Sequence, residues 1–158
     1  MMGILQVASY IYKRYMDDFG VRIDEMKLHK LLYFTQRECL IQKGESMFEA
    51  LFEAWKYGPV MVQIRQYYKN DSFPELIDKE QVVQYEPVFD MVFKTYAPQK
   101  SWSLSTLTHG EYSLKHAREG YDELDSCEVE MKTEDIMVDA NRVRERRAVL
   151  CQLNLYNA

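Results

Sequence analysis

The chain is poor in the residues that staple, coordinate or punctuate: its 158 residues include three cysteines, three histidines, four prolines and six glycines. Cys39, Cys127 and Cys151 are odd in number, widely spaced and without any pair two residues apart. That excludes a disulfide framework and the usual zinc pattern, and it points to a reducing compartment. His29, His109 and His116 stand at no metal-ligand spacing from one another or from a cysteine, so no metal is expected. The scattered glycines form neither a phosphate-cradling loop nor a dinucleotide fingerprint, which removes nucleotide hydrolysis and leaves no cofactor to expect. No apolar run is long enough to cross a bilayer, and polar residues follow the first six positions too soon for a signal peptide; the expectation is a cytoplasmic protein with no membrane partner. An excess of positive charge is also missing. With a net charge of -5, non-specific binding to nucleic acid is disfavoured. There is no internal repeat and no linker rich in Gly or Ser, so residues 1–158 are expected to form one domain, large enough to bury a core without staples.

What the chain does have is helical periodicity. Leu5, Ala8, Tyr12, Tyr15 and Met16 mark one face of a helix over residues 4–18 that Gly20 stops. Asp24 is placed to cap a second helix that runs to about Lys43, with Gly44 as its stop. Leu28, Leu31, Leu32, Phe34, Cys39, Leu40 and Ile41 cover more than one stripe of it, which predicts a central helix buried against several neighbours, with Lys27 and Lys30 on its polar side. Leu51, Glu53 and Trp55 alternate with Phe52, Ala54 and Lys56, the mark of a short extended segment. Gly58 and Pro59 end that segment, and a helix carrying Val60, Ile64, Tyr67 and Tyr68 on one side is expected from about Pro59. Further on, Pro74 is expected to open a helical turn and Pro87 a helix that lasts to Pro98. Ser103, Ser113 and Thr133 are read as caps of three more helices. The alternation Cys127, Val129, Met131 predicts a strand able to pair with the segment near Trp55. The sum is a mainly α domain of six to eight helices with a small two-stranded β element.

The charge pattern breaks sharply near the end. From Glu119 to Asp139 there are nine acidic residues against one Lys, and Arg142, Arg144, Arg146 and Arg147 follow. Those arginines could contact phosphates, but no recognition-helix pattern accompanies them. A solvated face, or ion pairing with the acidic stretch, is the simpler reading. His109, next to Gly110 and Glu111, is the most inviting acid–base candidate. No motif brings an activated Ser or Cys to it, and a structural histidine near a helix end is preferred, so no catalytic residue is assigned. Trp55 and Tyr57 serve either as core packing, the simpler reading, or as anchors for a partner.

Three pieces, in this order, resemble the Panacea domain. They are Met26, Lys27, Leu28, His29, Lys30, Leu31, Leu32, Tyr33, Phe34, Thr35 and Gln36; then residues 53–60, which read Glu-Ala-Trp-Lys-Tyr-Gly-Pro-Val; then Leu104, Ser105, Thr106, Leu107, Thr108, His109, Gly110 and Glu111. The resemblance covers roughly residues 5 to 140. It implies a non-enzymatic, protein-binding antitoxin of a phage or mobile element that neutralises a cognate toxin by direct contact. On this reading Leu28, Leu31, Leu32, Tyr33, Gln36, Gly58, Pro59, Thr108, His109 and Glu111 are a structural motif. Trp55, Lys56 and Tyr57, with Arg65 and Tyr68 one turn apart on the next helix, are the partner-binding candidates. Where members of the family usually carry a Pro-Trp pair after the third piece, this chain has Ser113 and Leu114. Two other classes stay open: a module that binds a host protease or defence component, and an enzyme built around His109 and Glu111.

Overall fold

A computed structural model describes residues 1–155. Among them are eight α-helices and one two-stranded antiparallel sheet. The helices are α1 (Ile4–Phe19), α2 (Glu25–Lys43), α3 (Arg65–Lys69), α4 (Lys79–Gln84), α5 (Glu86–Thr95), α6 (Ser101–His109), α7 (Tyr112–Ala117) and α8 (Thr133–Gln152). The strands are β1 (Phe52–Trp55) and β2 (Gly58–Met61). None of the described helices is long and apolar enough to cross a membrane.

The central helix is α2. Asp24 accepts the Lys27 backbone N–H at its start, and Gly44 closes it in the left-handed conformation, φ 72°, with its N–H on the Leu40 carbonyl. Helices α1, α5, α6 and α8 and strand β2 all pack on it. Every residue from Lys27 to Leu40 is buried, so this helix has no polar side. That corrects the expectation for Lys27 and Lys30. Lys27 Nζ is held by the Tyr15 hydroxyl and the Ala97 carbonyl, both at 3.1 Å, while Lys30 Nζ reaches the Pro59 carbonyl at 3.3 Å. Gln36 is equally absorbed: its amide donates to the Phe48 carbonyl and accepts the Met47 N–H, fixing the loop after α2.

The expected helix at Pro59 is a strand instead. Trp55 pairs with Gly58, Ala54 with Pro59, Glu53 with Val60 and Phe52 with Met61, around a two-residue turn of Lys56 and Tyr57. The reason lies in α2. His29 Nδ1 accepts the Met61 N–H at 3.1 Å and Lys30 donates to the Pro59 carbonyl, so side chains of the central helix satisfy the outer edge of β2. Pro59 lacks a donor to place there, which suits an edge strand. Helix begins only after Met61, as a short 3-10 turn, Val62–Ile64, leading into α3. The other edge of the hairpin receives the acidic segment: Ala54 N–H donates to Val129 and Met131 N–H to Phe52. The expected partner of β1 is thus present, reduced to an isolated bridge between Glu53 and Glu130.

Several local readings also change. Residues 74–77 form no helical turn, because Ser9, Lys13 and Gln6 of α1 hold the carbonyls of Pro74, Glu75 and Leu76. Asp78 caps α4 after them. Ser103 lies inside α6, which starts at Ser101. Ser113 lies inside α7, and Asp139 of α8 does the capping by accepting the Tyr112 and Ser113 N–H groups at 2.7 and 2.9 Å. Thr133 is the first residue of α8 and makes no cap. Arg144 and Arg147 turn from the acidic stretch to α2: Arg144 donates to the Leu40 and Ile41 carbonyls and Arg147 grips Glu38 with both terminal nitrogens. The acidic stretch is instead organised by Arg118, which donates to the carbonyls of Ala54, Asp122 and Asp125.

Gly58 is the tightest point of the hairpin. Its φ is +111°, and a Cβ there would lie 2.5 Å from Thr108 Oγ1 and 2.9 Å from Lys30 Cε. Gly58→Ala therefore adds a strained backbone and a clash, and is expected to cost about 2–3 kcal/mol. In a calorimetric melt this appears as a loss of about 5–10 °C; an unchanged melting temperature would contradict the close approach.

Candidate functional site

The turn of the hairpin is clamped from α6. Ser105 Oγ donates to the Tyr57 carbonyl at 2.7 Å, and His109 makes a hydrogen bond with the Lys56 backbone. Thr108 lies beneath Gly58 with its own hydroxyl on the Ser105 carbonyl. The third sequence piece thus positions the second. Burial, helped by the Arg118 charge, holds His109 below its ordinary range. No Ser or Cys side chain is hydrogen-bonded to it among the described residues, and its one described bond is to backbone.

Glu111 belongs to a different cluster. Tyr33 Oη donates to Glu111 Oε2 at 2.9 Å, and Arg37 Nη1 reaches Glu111 Oε1 at 2.7 Å, with Arg37 Nη2 on the Tyr96 hydroxyl. Ser113 and Asp139 complete the cluster around Tyr33. The Arg37–Glu111 pair is largely out of water, and removing one partner of such a pair leaves an uncompensated buried charge. This cluster ties α2, α7 and α8 together, and Glu111 and His109 do not share a site. Burial raises Glu111 above the ordinary carboxylate range, Arg37 opposing it, and burial with the nearby carboxylates keeps the Tyr33 phenol protonated.

On the outer side of the hairpin the structure opens a groove of about 330 Å³ between α2, the hairpin turn and α3, with His29, Lys30, Trp55, Tyr57, Val60 and Arg65 in its wall. Trp55 is half-buried, its indole N–H on Glu53 at 2.6 Å and the Arg65 guanidinium 5.0 Å from its ring centre. Tyr57 is 43% exposed and meets Trp102 edge-on at 5.1 Å; Trp102, at the start of α6, is 61% exposed. Lys56 Nζ lies 5.1 Å from the Tyr57 ring centre. Both tryptophans of the chain therefore stand on this one surface, joined by Tyr57. A larger cavity, about 580 Å³, lies between α1 and the α4 region, away from every sequence piece singled out above.

Of the partner-binding candidates, the structure brings Trp55, Lys56, Tyr57 and Arg65 together and leaves Tyr68 out. The Tyr68 hydroxyl donates to the Ile23 carbonyl and its ring lies under Arg22, on the α1 side of α3. Trp102 was missed by sequence reasoning although it is one of only two tryptophans and opens a helix. Arg37 had a signal, standing four residues after Tyr33 on one helix face. Asp139 and Arg118 had none, since neither belongs to a motif and the residues they bind are distant in sequence or are backbone groups.

His29 gives the site a measurable signature. Burial, reinforced by the charges of Lys30 and Arg65, pushes its imidazole down to about 3. The unfolded chain takes up a proton near the ordinary value of about 6.5. Between those values the unfolded state binds a proton that the folded state refuses, so stability is lost as pH falls through that window, by up to about 1.4 kcal/mol per pH unit. His29→Asn keeps an acceptor for the Met61 N–H and does not titrate. Its urea-unfolding free energy is expected to fall less steeply than the wild type's between about pH 6.5 and pH 4. Glu111 acts in the opposite sense and is common to both proteins, so the difference isolates His29; parallel profiles would contradict a neutral buried imidazole.

Comparison with known proteins converges on the same elements. The family model described as "Antitoxin SocA-like, Panacea domain" matches residues 28–113, from the central helix through the hairpin to the start of α7. The protein named Antitoxin SocA of Caulobacter vibrioides (strain NA1000 / CB15N) is 45% identical over 40 residues, which is 25% of this chain and 21% of that relative's length. No solved structure matches. Since the family model takes in more than half of the 158 residues, and the matched stretch holds most of α2, both strands and α6, the chain belongs to the SocA-like Panacea domain family.

Proposed function

We propose that this chain is a protein-binding antitoxin module, acting as one Panacea-type domain, that neutralises a cognate toxin by direct contact through the hairpin face. Trp55, Lys56, Tyr57 and Arg65 form the docking surface and Trp102 extends it. The observation that carries the reading is the placement of both tryptophans beside a half-open groove, on a turn that α6 clamps from behind. Large aromatics and arginine are the residues that dominate binding energy at protein interfaces, most of all when their own conformations are already fixed. Family membership and the name of the Caulobacter vibrioides relative support the antitoxin role. The proposal includes no catalytic step: His109 and Glu111 are each used as structural groups, in separate clusters.

The basic helix supports this reading over nucleic-acid binding. Arg144 and Arg147 spend their donors on α2, and Arg142 lies 5.3 Å from the Tyr112 ring centre. The test is capture of the tagged full chain's partner from its native host, with co-expression of any adjacent small open reading frame in a growth assay. The expected result is a stoichiometric partner whose toxicity is relieved by this chain. A variant with Trp55→Ala, Tyr57→Ala and Trp102→Ala is expected to melt within a few degrees of wild type yet bind that partner at least about a hundredfold more weakly. Full-strength neutralisation by this folded variant would overturn the hairpin-face assignment, and a non-toxic host protein as the partner would overturn the antitoxin role while leaving the surface.

A further inference from the structure

The groove beside the hairpin has an unusual floor. Three cationic side chains of α2 are buried, and two of them are each held by two acceptor groups: Lys27 by the Tyr15 hydroxyl and the Ala97 carbonyl, Arg37 by Glu111 and the Tyr96 hydroxyl at its terminal nitrogens, with its Nε lacking a described partner. Lys30 is not. It is 2% exposed, its one described hydrogen bond is the 3.3 Å contact with the Pro59 carbonyl, and it forms no ion pair among the described residues. An ammonium carries three donors, so two lack a described protein acceptor. Its neighbour His29, also 2% exposed, accepts the Met61 N–H at Nδ1, which leaves Nε2 as the protonated nitrogen of a neutral ring; that Nε2–H has no partner among the described residues. Both residues form part of the groove wall. Glu25, the carboxylate on the same wall, is already taken by Arg65 at 3.2 Å.

A buried ammonium with one described acceptor and a buried imidazole N–H with no described acceptor are costly to leave so. The cost is recovered when an acceptor of opposite charge enters. We infer, building on the proposed hairpin-face reading, that the groove takes a carboxylate side chain, an Asp or Glu of the partner protein, whose oxygens accept from Lys30 Nζ and His29 Nε2 while flanking apolar residues of the partner pack on Trp55 and Tyr57. The positive charges of Lys30 and Lys56 against the already paired Glu25 set the sign of the guest. The narrow volume, about 330 Å³, admits one side chain and its neighbours. A carboxylate also binds a desolvated cation more strongly than a neutral amide does, which makes it a selective key.

The full chain, immobilised, is panned with a displayed library of random linear peptides, and enriched peptides are synthesised. They are expected to share one Asp or Glu. Changing that residue to Asn or Gln is expected to weaken binding to wild type at least tenfold, but less than twofold to Lys30→Met, where methionine fills the buried volume without the charge. A thermal melt establishes that Lys30→Met is folded; should it not fold, His29→Asn carries the same double-variant cycle, with a coupling of threefold or more expected. Enriched peptides with no common acidic residue, equal losses on both proteins, or no enrichment overturn the carboxylate site. Trp55→Ala separates this from the broader reading: if it abolishes partner binding while the acid-to-amide change shows no coupling, only the carboxylate assignment falls. If Trp55→Ala leaves both peptide and partner binding intact, the hairpin face itself is wrong.

Discussion

The structure depends on a helix that is buried on every side. A surface helix can sort its residues into a core stripe and a solvent face, but α2 has no solvent face between Lys27 and Leu40. Thr35 turns its hydroxyl back onto the Leu31 carbonyl of the same helix, and the longer polar side chains of that span reach into other elements. Gln36 holds the loop after the helix, Arg37 holds α7 through Glu111, Glu38 holds α8 through Arg147, and Lys27 holds α1 and the end of α5. These bonds join elements distant in sequence and give the helix bundle one arrangement, since a slip of α2 would leave several buried groups unpaired at once.

The same constraint creates the hairpin. A two-stranded ribbon is marginal alone, and this one has four residues per strand and a proline in the second. It is held on three sides: His29 and Lys30 take the free edge of β2, the segment around Val129 takes the free edge of β1, and Ser105 and His109 take the turn. Arg118 then fastens the β1 carbonyl of Ala54 to the acidic segment. Gly58 is the point where these supports converge, with Thr108 and Lys30 on its open side. The result is a turn tied down at several points that carries half-buried Trp55 and exposed Tyr57 beyond the core.

Much of this architecture was legible in the residues. The first two helices, their glycine stops, the Asp24 cap and the centrality of α2 follow from local periodicity and capping chemistry, and these need only neighbours in sequence. The approach to Trp55 read as extended for the same reason. Local rules failed where a distant element supplied the partner. Pro59 lies in a strand because α2 satisfies that strand's edge, Ser113 does not cap because Asp139 does, and Arg144 turns to the end of α2 because its carbonyls need donors. The site divides in the same way. Trp55, Lys56, Tyr57 and Arg65 were readable as one sequence neighbourhood, whereas Trp102 joins them only across α6, and Tyr68, one turn from Arg65, is drawn to the other side by Ile23 and Arg22.

By itself, then, the sequence determined a mainly helical chain with an apolar central helix, a short extended segment ending in Gly58, and residues that mark a SocA-like Panacea domain. Those properties rest on side-chain periodicity and on the φ freedom of glycine, both local. Tertiary structure alone decided which polar residues of the central helix are satisfied and which are not. The buried Lys30 and His29 are ordinary residues in the sequence and become a donor pair at a groove only because β2 accepts from one, donates to the other, and leaves their remaining donors without a partner among the described residues. Desolvation is a property of the assembled core, and no residue carries it on its own.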